Sequence, residues 1–302
     1  MLSRTLDVGG PIHLADFGGT GPTMILVHGL GGSHANWLAV GPGLAAHARV
    51  LAPDLPGFGR TPLAGRSAHV RANIELLDRL LDVVAGGPAV LVGNSMGGLI
   101  AMMEAAARPE RVAGLVLVGP AQPRPRGALL DPAVALTFAA YAFPGVGERF
   151  LRWRAAWLGP ERLVRQTLAL CCADPASVAP DVVAAHVALA RERQRMPWAQ
   201  PAFLEAARSI LAVLARRRDV QAMIRRITAP TLLVQGTEDR LVPLAASRAL
   251  AKLRPDWRFA VFERIGHVPQ LEAPQRFVAT VSGWLEDAVG RTSGQAARGR
   301  RS

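Results

Sequence analysis

Lysine is almost missing from this chain. Lys252 is the only one, and every other basic side chain is arginine. So one-sided a choice reads as the codon bias of a GC-rich gene, and no nucleic-acid partner is expected. Cysteine is nearly absent too: there are two, the neighbours Cys171 and Cys172. Adjacent residues rarely form an ordinary structural disulfide, and no metal-ligand spacing accompanies them. They read as buried helix cysteines, and a cytoplasmic, reducing setting is expected. No uninterrupted apolar run reaches the roughly 18 residues of a membrane span. The nearest stretch, Val83 to Ala107, is broken by glycines, Pro88 and Asn94. Met1 to Gly10 carries Arg4 and Asp7 and lacks an apolar leader core, so no secretory signal is expected. No internal repeat is present.

What remains is ample for a core, since 50% of the 302 residues are hydrophobic. The net charge of +12 is unevenly placed. Residues 1–119 hold eight basic and eight acidic side chains, whereas 120–226 hold sixteen and eight. Segment 227–286 holds seven and six, and 287–302 four and one. The excess reads as solvated arginine faces. Its functional alternative is attraction to acidic substrates or peripheral contact with an anionic membrane, with Arg216, Arg217 and Arg218 facing the lipid.

Continuous apolar runs mark strands at Pro22–Val27, Arg49–Ala52, Ala89–Val92, Val112–Val118, Pro230–Val234 and Arg258–Phe262. Helical periodicity separates several of them, as in Ala72–Val84, where Ile74, Leu77, Leu80, Leu81 and Val84 share a face. Buried strands alternating with helices imply a parallel sheet covered on both sides. Between Gly119 and Ile227 strand character disappears. Helical candidates run over Pro132–Phe143, Val146–Leu158, Pro160–Ala173, Pro180–Gln194 and Phe203–Leu214. A last helix spans Arg276–Val289. The domain plan is therefore an α/β core over 1–119 and 227–290, an all-helical cap inserted at 120–226, and a disordered basic tail at 291–302.

Gly93-Asn94-Ser95-Met96-Gly97-Gly98 lies between a strand and a helix. That context turns a Gly-x-Ser-x-Gly match into a nucleophile elbow, a turn too tight for side chains beside the serine. Asp239 and His267 follow in the order Ser, Asp, His, each just past a strand. Strand C-termini are where open α/β sheets bind ligands. A serine hydroxyl needs an adjacent base, so His267 is expected to take its proton and Asp239 to orient the imidazole. Glu238 is the rival for Asp239. The oxyanion donors are expected to be the backbone N–H groups of Met96 and of Leu30, in the loop His28-Gly29-Leu30-Gly31. His28 and Asp54 read as turn organisers. This chemistry needs neither metal nor organic cofactor.

With these motifs in order, together with Asp54-x-x-Gly57-x-Gly59, Gly236-x-x-Asp239-x-x-x-Pro243 and Gly266-His267, the chain resembles the α/β-hydrolase superfamily over nearly its whole length. The resemblance implies a mostly parallel eight-stranded sheet with an inserted helical cap. It also implies a serine hydrolase acting on a small-molecule carboxylic ester, with medium apolar acyl chains favoured by the apolar stretch Ala133–Phe143 and by Trp153, Trp157 and Trp198. The Asn-Ser-Met-Gly-Gly elbow is similar to that of C–C bond hydrolases of aromatic ring-cleavage products, though Val268 stands where those often carry tryptophan. Perhydrolases of the haloperoxidase type share Ser-Met-Gly-Gly. A non-catalytic ligand-binding member is the third alternative.

Overall fold

The computed structural model of the chain describes residues 1–298. Its eight strands are β1 (Leu2–Asp7), β2 (Pro11–Gly18), β3 (Thr23–Val27), β4 (Arg49–Pro53), β5 (Ala89–Asn94), β6 (Val112–Val118), β7 (Thr231–Gly236) and β8 (Arg258–Phe262). They form one sheet in the order β1-β2-β4-β3-β5-β6-β7-β8. β2 pairs antiparallel with β1 and with β4, and all other neighbours are parallel. This is the mostly parallel eight-stranded sheet that the resemblance implied. The two strands absent from the residue reading are β1 and β2. β1 is largely exposed and mixes polar with apolar residues, so it has no continuous apolar run. The usable signal was the Gly9-Gly10 pair between them, a hairpin turn in which both glycines have positive φ.

Twelve α-helices accompany the sheet: α1 (Gly41–Leu44), α2 (Val70–Val84), α3 (Met96–Ala107), α4 (Pro132–Ala142), α5 (Val146–Trp157), α6 (Pro160–Cys171), α7 (Pro180–Gln194), α8 (Ala199–Ala215), α9 (Arg217–Arg225), α10 (Leu244–Leu253), α11 (Pro269–Glu272) and α12 (Pro274–Arg298). Two apolar layers enclose the strands. Leu77 and Leu81 of α2, Ile100 and Ala101 of α3 and Ile224 of α9 pack on one face. Leu44 of α1 and Phe277, Val281 and Trp284 of α12 pack on the other. α12 continues to Arg298, past the helix end expected at Val289 and into the segment read as a tail. Arginine, glutamine and alanine in 291–298 are good helix formers, and the single Gly294 there costs only about 1 kcal/mol. Residues 299–302 of that expected tail lie outside the described residues. Among the described residues no helix is long and apolar enough to cross a membrane.

Helices α4 to α9 lie between β6 and β7. Tyr141 of α4 packs with Leu204 and Ala207 of α8, and Phe138, Phe150, Phe203 and Leu30 close around them. α6 and α7 pack through Val164, Leu168 and Val182 onto Val268 and Leu271. α9 instead packs on α3, beside the sheet.

A buried carboxyl on α3 makes stability depend on pH. Glu104 is fully buried, and burial pushes its carboxyl up to about 7 despite the Arg108 guanidinium 3.1 Å away. Between pH 4.5 and 7 the folded chain keeps a proton there that the unfolded chain has lost. Stability therefore falls as pH rises through that window. Glu104→Gln is expected to raise stability at pH 8 by up to about 3 kcal/mol and to change little at pH 4. Thermal melts at the two pH values check this, and equal shifts at both would refute it.

Candidate active site

β5 delivers Ser95 to the C-terminal edge of the sheet. Its backbone is forced to φ 54° and ψ −113°, a region that costs a non-glycine residue about 1–3 kcal/mol. Three hydrogen bonds hold it there. Ser95 N–H donates to Val118 O (2.9 Å), and Ser95 O accepts from Leu99 N–H (3.1 Å) and Ala121 N–H (2.9 Å). A Cβ on Gly97 would collide with the Val27 and His28 carbonyls, and one on Gly93 with the Gly97 carbonyl. These two glycines are thus what the elbow requires. Ser95 is half-buried, whereas its neighbours Asn94 and Met96 are buried.

Asp239 and His267 follow β7 and β8 and are both buried. His267 Nδ1 lies 2.8 Å from Asp239 Oδ2. With Nδ1–H donating to the carboxylate, Nε2 is the nitrogen left to accept a proton. The same Oδ2 accepts from Gln235 Nε2 (2.8 Å), while Oδ1 accepts from Leu241 N–H (2.9 Å) and Val242 N–H (2.8 Å). Ser247 Oγ donates to Gln235 Oε1 (2.6 Å) and accepts from Gln122 Nε2 (3.2 Å), which fixes the direction of the Gln235 amide. Glu238 is exposed. A Cβ on Gly119 would stand 2.9 Å from Asp239 Oδ2 and 3.1 Å from His267 Nδ1. Gly119 follows Val118, the residue that receives the Ser95 N–H, so the pair packs beside the elbow.

The histidine backbone is held as firmly as its ring. His267 N–H donates to Cys171 O (2.6 Å), and His267 O accepts from Asn94 Nδ2 (3.1 Å). Glu272 accepts from Gly266 N–H (2.6 Å) and from Ala173 (2.8 Å) and Asp174 (3.0 Å) N–H groups, joining the end of α6 to the histidine loop. Sequence reasoning missed Gln235, Ser247, Gln122, Asn94, Glu272 and Gly119 as supports. Cys171 serves through its carbonyl. Burial pushes both neighbouring thiols well above their ordinary range, which leaves them inert as nucleophiles.

The loop after β3 passes the serine. A Cβ on Gly29 would meet Ser95 Cβ at 3.2 Å. His28 Nε2 accepts the Leu55 N–H (3.1 Å), so Nδ1 carries the proton and donates to Gly29 O (2.8 Å). Burial lowers His28 to about 4, keeping it neutral. Asp54 accepts from the N–H groups of His34 (2.6 Å) and Arg60 (2.8 Å) and lies 2.9 Å from His13 Nδ1. Both residues organise turns, as their motifs suggested. His13, His34 and Asp54 offer ligand atoms within 4.8 Å of one another, and of the two imidazoles His34 pairs its Nδ1 with the carboxylate, 3.0 Å from both Asp54 oxygens.

A cavity of about 1100 Å³ lies between α5 and α8 and is lined by Arg152, Arg193, Glu205 and Arg208. Ser95, Asp239 and His267 do not line it. The apolar cap cluster instead packs on the loop after β3: it includes Leu30, and a Cβ on Gly31 would meet the Phe203 ring at 3.1 Å. Trp153 and Trp157, expected among the acyl-pocket residues, are exposed instead.

Residues 22–274 match the alpha/beta hydrolase fold family. The chain is 35% identical over 257 residues to a pimeloyl-[acyl-carrier protein] methyl ester esterase of Aromatoleum aromaticum, covering 84% of this chain and 94% of that one. It is 32% identical over 298 residues to a 2-hydroxy-6-oxo-2,4-heptadienoate hydrolase of Pseudomonas putida, covering 94% and 96%. Among solved structures it is similar to the meta-cleavage product hydrolase of Pseudomonas fluorescens. That likeness has a TM-score of 0.73 at 26% identity and covers 95% of this chain and 98% of that one.

Proposed function

The chain belongs to the alpha/beta hydrolase fold family, and on that premise we propose that it cleaves carboxylic esters through an acyl-enzyme on Ser95. The observation that carries this reading is the buried His267–Asp239 pair, 2.8 Å apart, at the sheet edge that presents the strained Ser95. In the proposed mechanism His267 Nε2 removes the Ser95 proton as Oγ attacks the ester carbonyl. Asp239 keeps the proton on Nδ1 and stabilises the imidazolium. Met96 opens α3, so its N–H is one of those a helix leaves unpaired at its positive end. With the Leu30 N–H it receives the developing oxyanion, each donor being worth about 3–4 kcal/mol. His267 then protonates the leaving alcohol. A water activated by the same nitrogen releases the acid.

Leu30, Phe138, Tyr141 and Phe203 supply the apolar wall for the acyl chain. Each buried methylene contributes up to about 0.8 kcal/mol. The kcat/KM for p-nitrophenyl esters is therefore expected to rise roughly tenfold or more from two-carbon to medium acyl chains. A flat profile from two to twelve carbons would remove the apolar wall from the proposal. The C–C hydrolase reading is favoured by one observation, the 32% identity to the heptadienoate hydrolase. A dienol ring-cleavage product supplied beside the esters separates the two. Its consumption without ester turnover would replace the esterase reading.

A further inference from the structure

We propose that the α4–α5 face of the cap docks on an anionic phospholipid surface. α4 is apolar all round, yet only Val134 and Tyr141 of it are buried. Leu129, Leu136, Phe143, Val146, Trp153 and Trp157 are between 51% and 87% exposed. Isolated exposed apolar residues need no explanation, but six large ones fall within 29 residues here, a density that water does not favour. Val146, Phe150, Trp153 and Trp157 follow one another at helical spacing. The Phe150 ring stacks on Trp153 (6.3 Å) and meets Tyr141 of α4 (5.9 Å), which joins the α5 stripe to its neighbour.

The charge on this face selects the partner. Its two acidic residues are already taken, Asp131 by Arg240 (2.8 Å) and Glu148 by Arg208 (3.0 Å). Among the described residues Arg126, Arg149 and Arg152 are exposed and have no carboxylate within 4.0 Å. Arg149 and Arg152 rim a shallow depression of about 610 Å³ with Val146, Phe150 and Trp153. Guanidinium groups beside indole rings suit a phosphate headgroup lying over acyl chains. A second copy of the chain fits less well, because a two-fold contact would set arginine against arginine. Arg216, Arg217 and Arg218, the cations first considered for lipid, stand at the α8–α9 junction, and α9 packs on α3.

The test is flotation with vesicles of phosphatidylcholine alone and of phosphatidylcholine mixed with phosphatidylglycerol, with tryptophan emission read in parallel. The wild type is expected to partition at least about tenfold more strongly onto the anionic vesicles, with a blue shift. Trp153→Ser with Trp157→Ser is expected to lose that partition by about tenfold or more and to lose the shift. Arg149→Glu with Arg152→Glu is expected to lose the preference for anionic lipid. Both double variants change exposed side chains, so an unchanged melting temperature certifies their fold. Absence of wild-type binding, or binding that survives both variants, overturns the proposal. So does a dimer in sedimentation that the tryptophan variant dissociates, which would assign the face to a second copy. Retention by an acidic soluble protein without vesicle binding would overturn it as well.

Discussion

Ser95→Ala is expected to lower kcat on p-nitrophenyl esters by about 10⁴-fold or more while leaving KM nearly unchanged. The substitution deletes the atom that forms the acyl bond in the proposed mechanism. In the proposed mechanism the oxyanion donors belong to the backbone of Met96 and Leu30, so a small residual rate should persist in the variant. The fold has little reason to respond, because alanine meets the same φ of 54° and the three backbone hydrogen bonds remain. Ser95→Gly sharpens the test. Glycine accepts that backbone readily, so this variant should be equally inactive yet about 1 kcal/mol more stable. A fluorophosphonate probe should label the wild type and neither variant. Equal hydrolysis by wild type and Ser95→Ala would mean that another group is the nucleophile, and the proposed mechanism would fall with it.

How much of this site could be read before folding depends on where each interaction lies along the chain. The inner strands β3, β5, β6 and β7 are almost entirely buried, so their apolar runs announce them. The elbow is local, and a strand, a tight turn and a helix are enough to place Ser95. β1 and β2 form the antiparallel flank and show no such run. α9 and α10 were also missed, since each is short and mixes arginine or lysine with apolar residues. The supports of the pair were out of reach for a different reason. Asn94 meets the His267 carbonyl across 173 positions, and Gln122 meets Ser247 across 125. Neither contact leaves a local pattern. The cap misled in a third way. α4 is apolar on every side, so nothing in its sequence separates the inward Tyr141 from the outward Leu136. Trp153 and Trp157 followed the same rule of thumb into the pocket, whereas the shorter Phe150 ring is what reaches Tyr141.

Asp239→Asn is expected to cost about 10⁴-fold in kcat near neutral pH, although it removes no atom that touches substrate. The argument is one of donors and acceptors. Oδ1 of Asp239 accepts the Leu241 and Val242 N–H groups, so the asparagine carbonyl must stay on that side. Its amide nitrogen then replaces Oδ2, where both Gln235 Nε2 and His267 Nδ1–H already point. Gln235 cannot turn over without losing the hydroxyl donor of Ser247. His267 is the partner that yields: Nδ1 becomes the acceptor, the proton moves to Nε2, and the base that the proposed mechanism requires disappears. Activity should partly return at high pH, where hydroxide replaces the missing base, whereas the wild type should level off there. The melting temperature should fall only modestly, because the two backbone bonds to Oδ1 survive. A variant with wild-type kcat at pH 7 would show that the carboxylate does not set the tautomer. Gln235→Leu, which leaves Oδ2 and the imidazole in place, should cost far less than Asp239→Asn. An equal loss would locate the effect in packing around β7 instead of in the proton on His267.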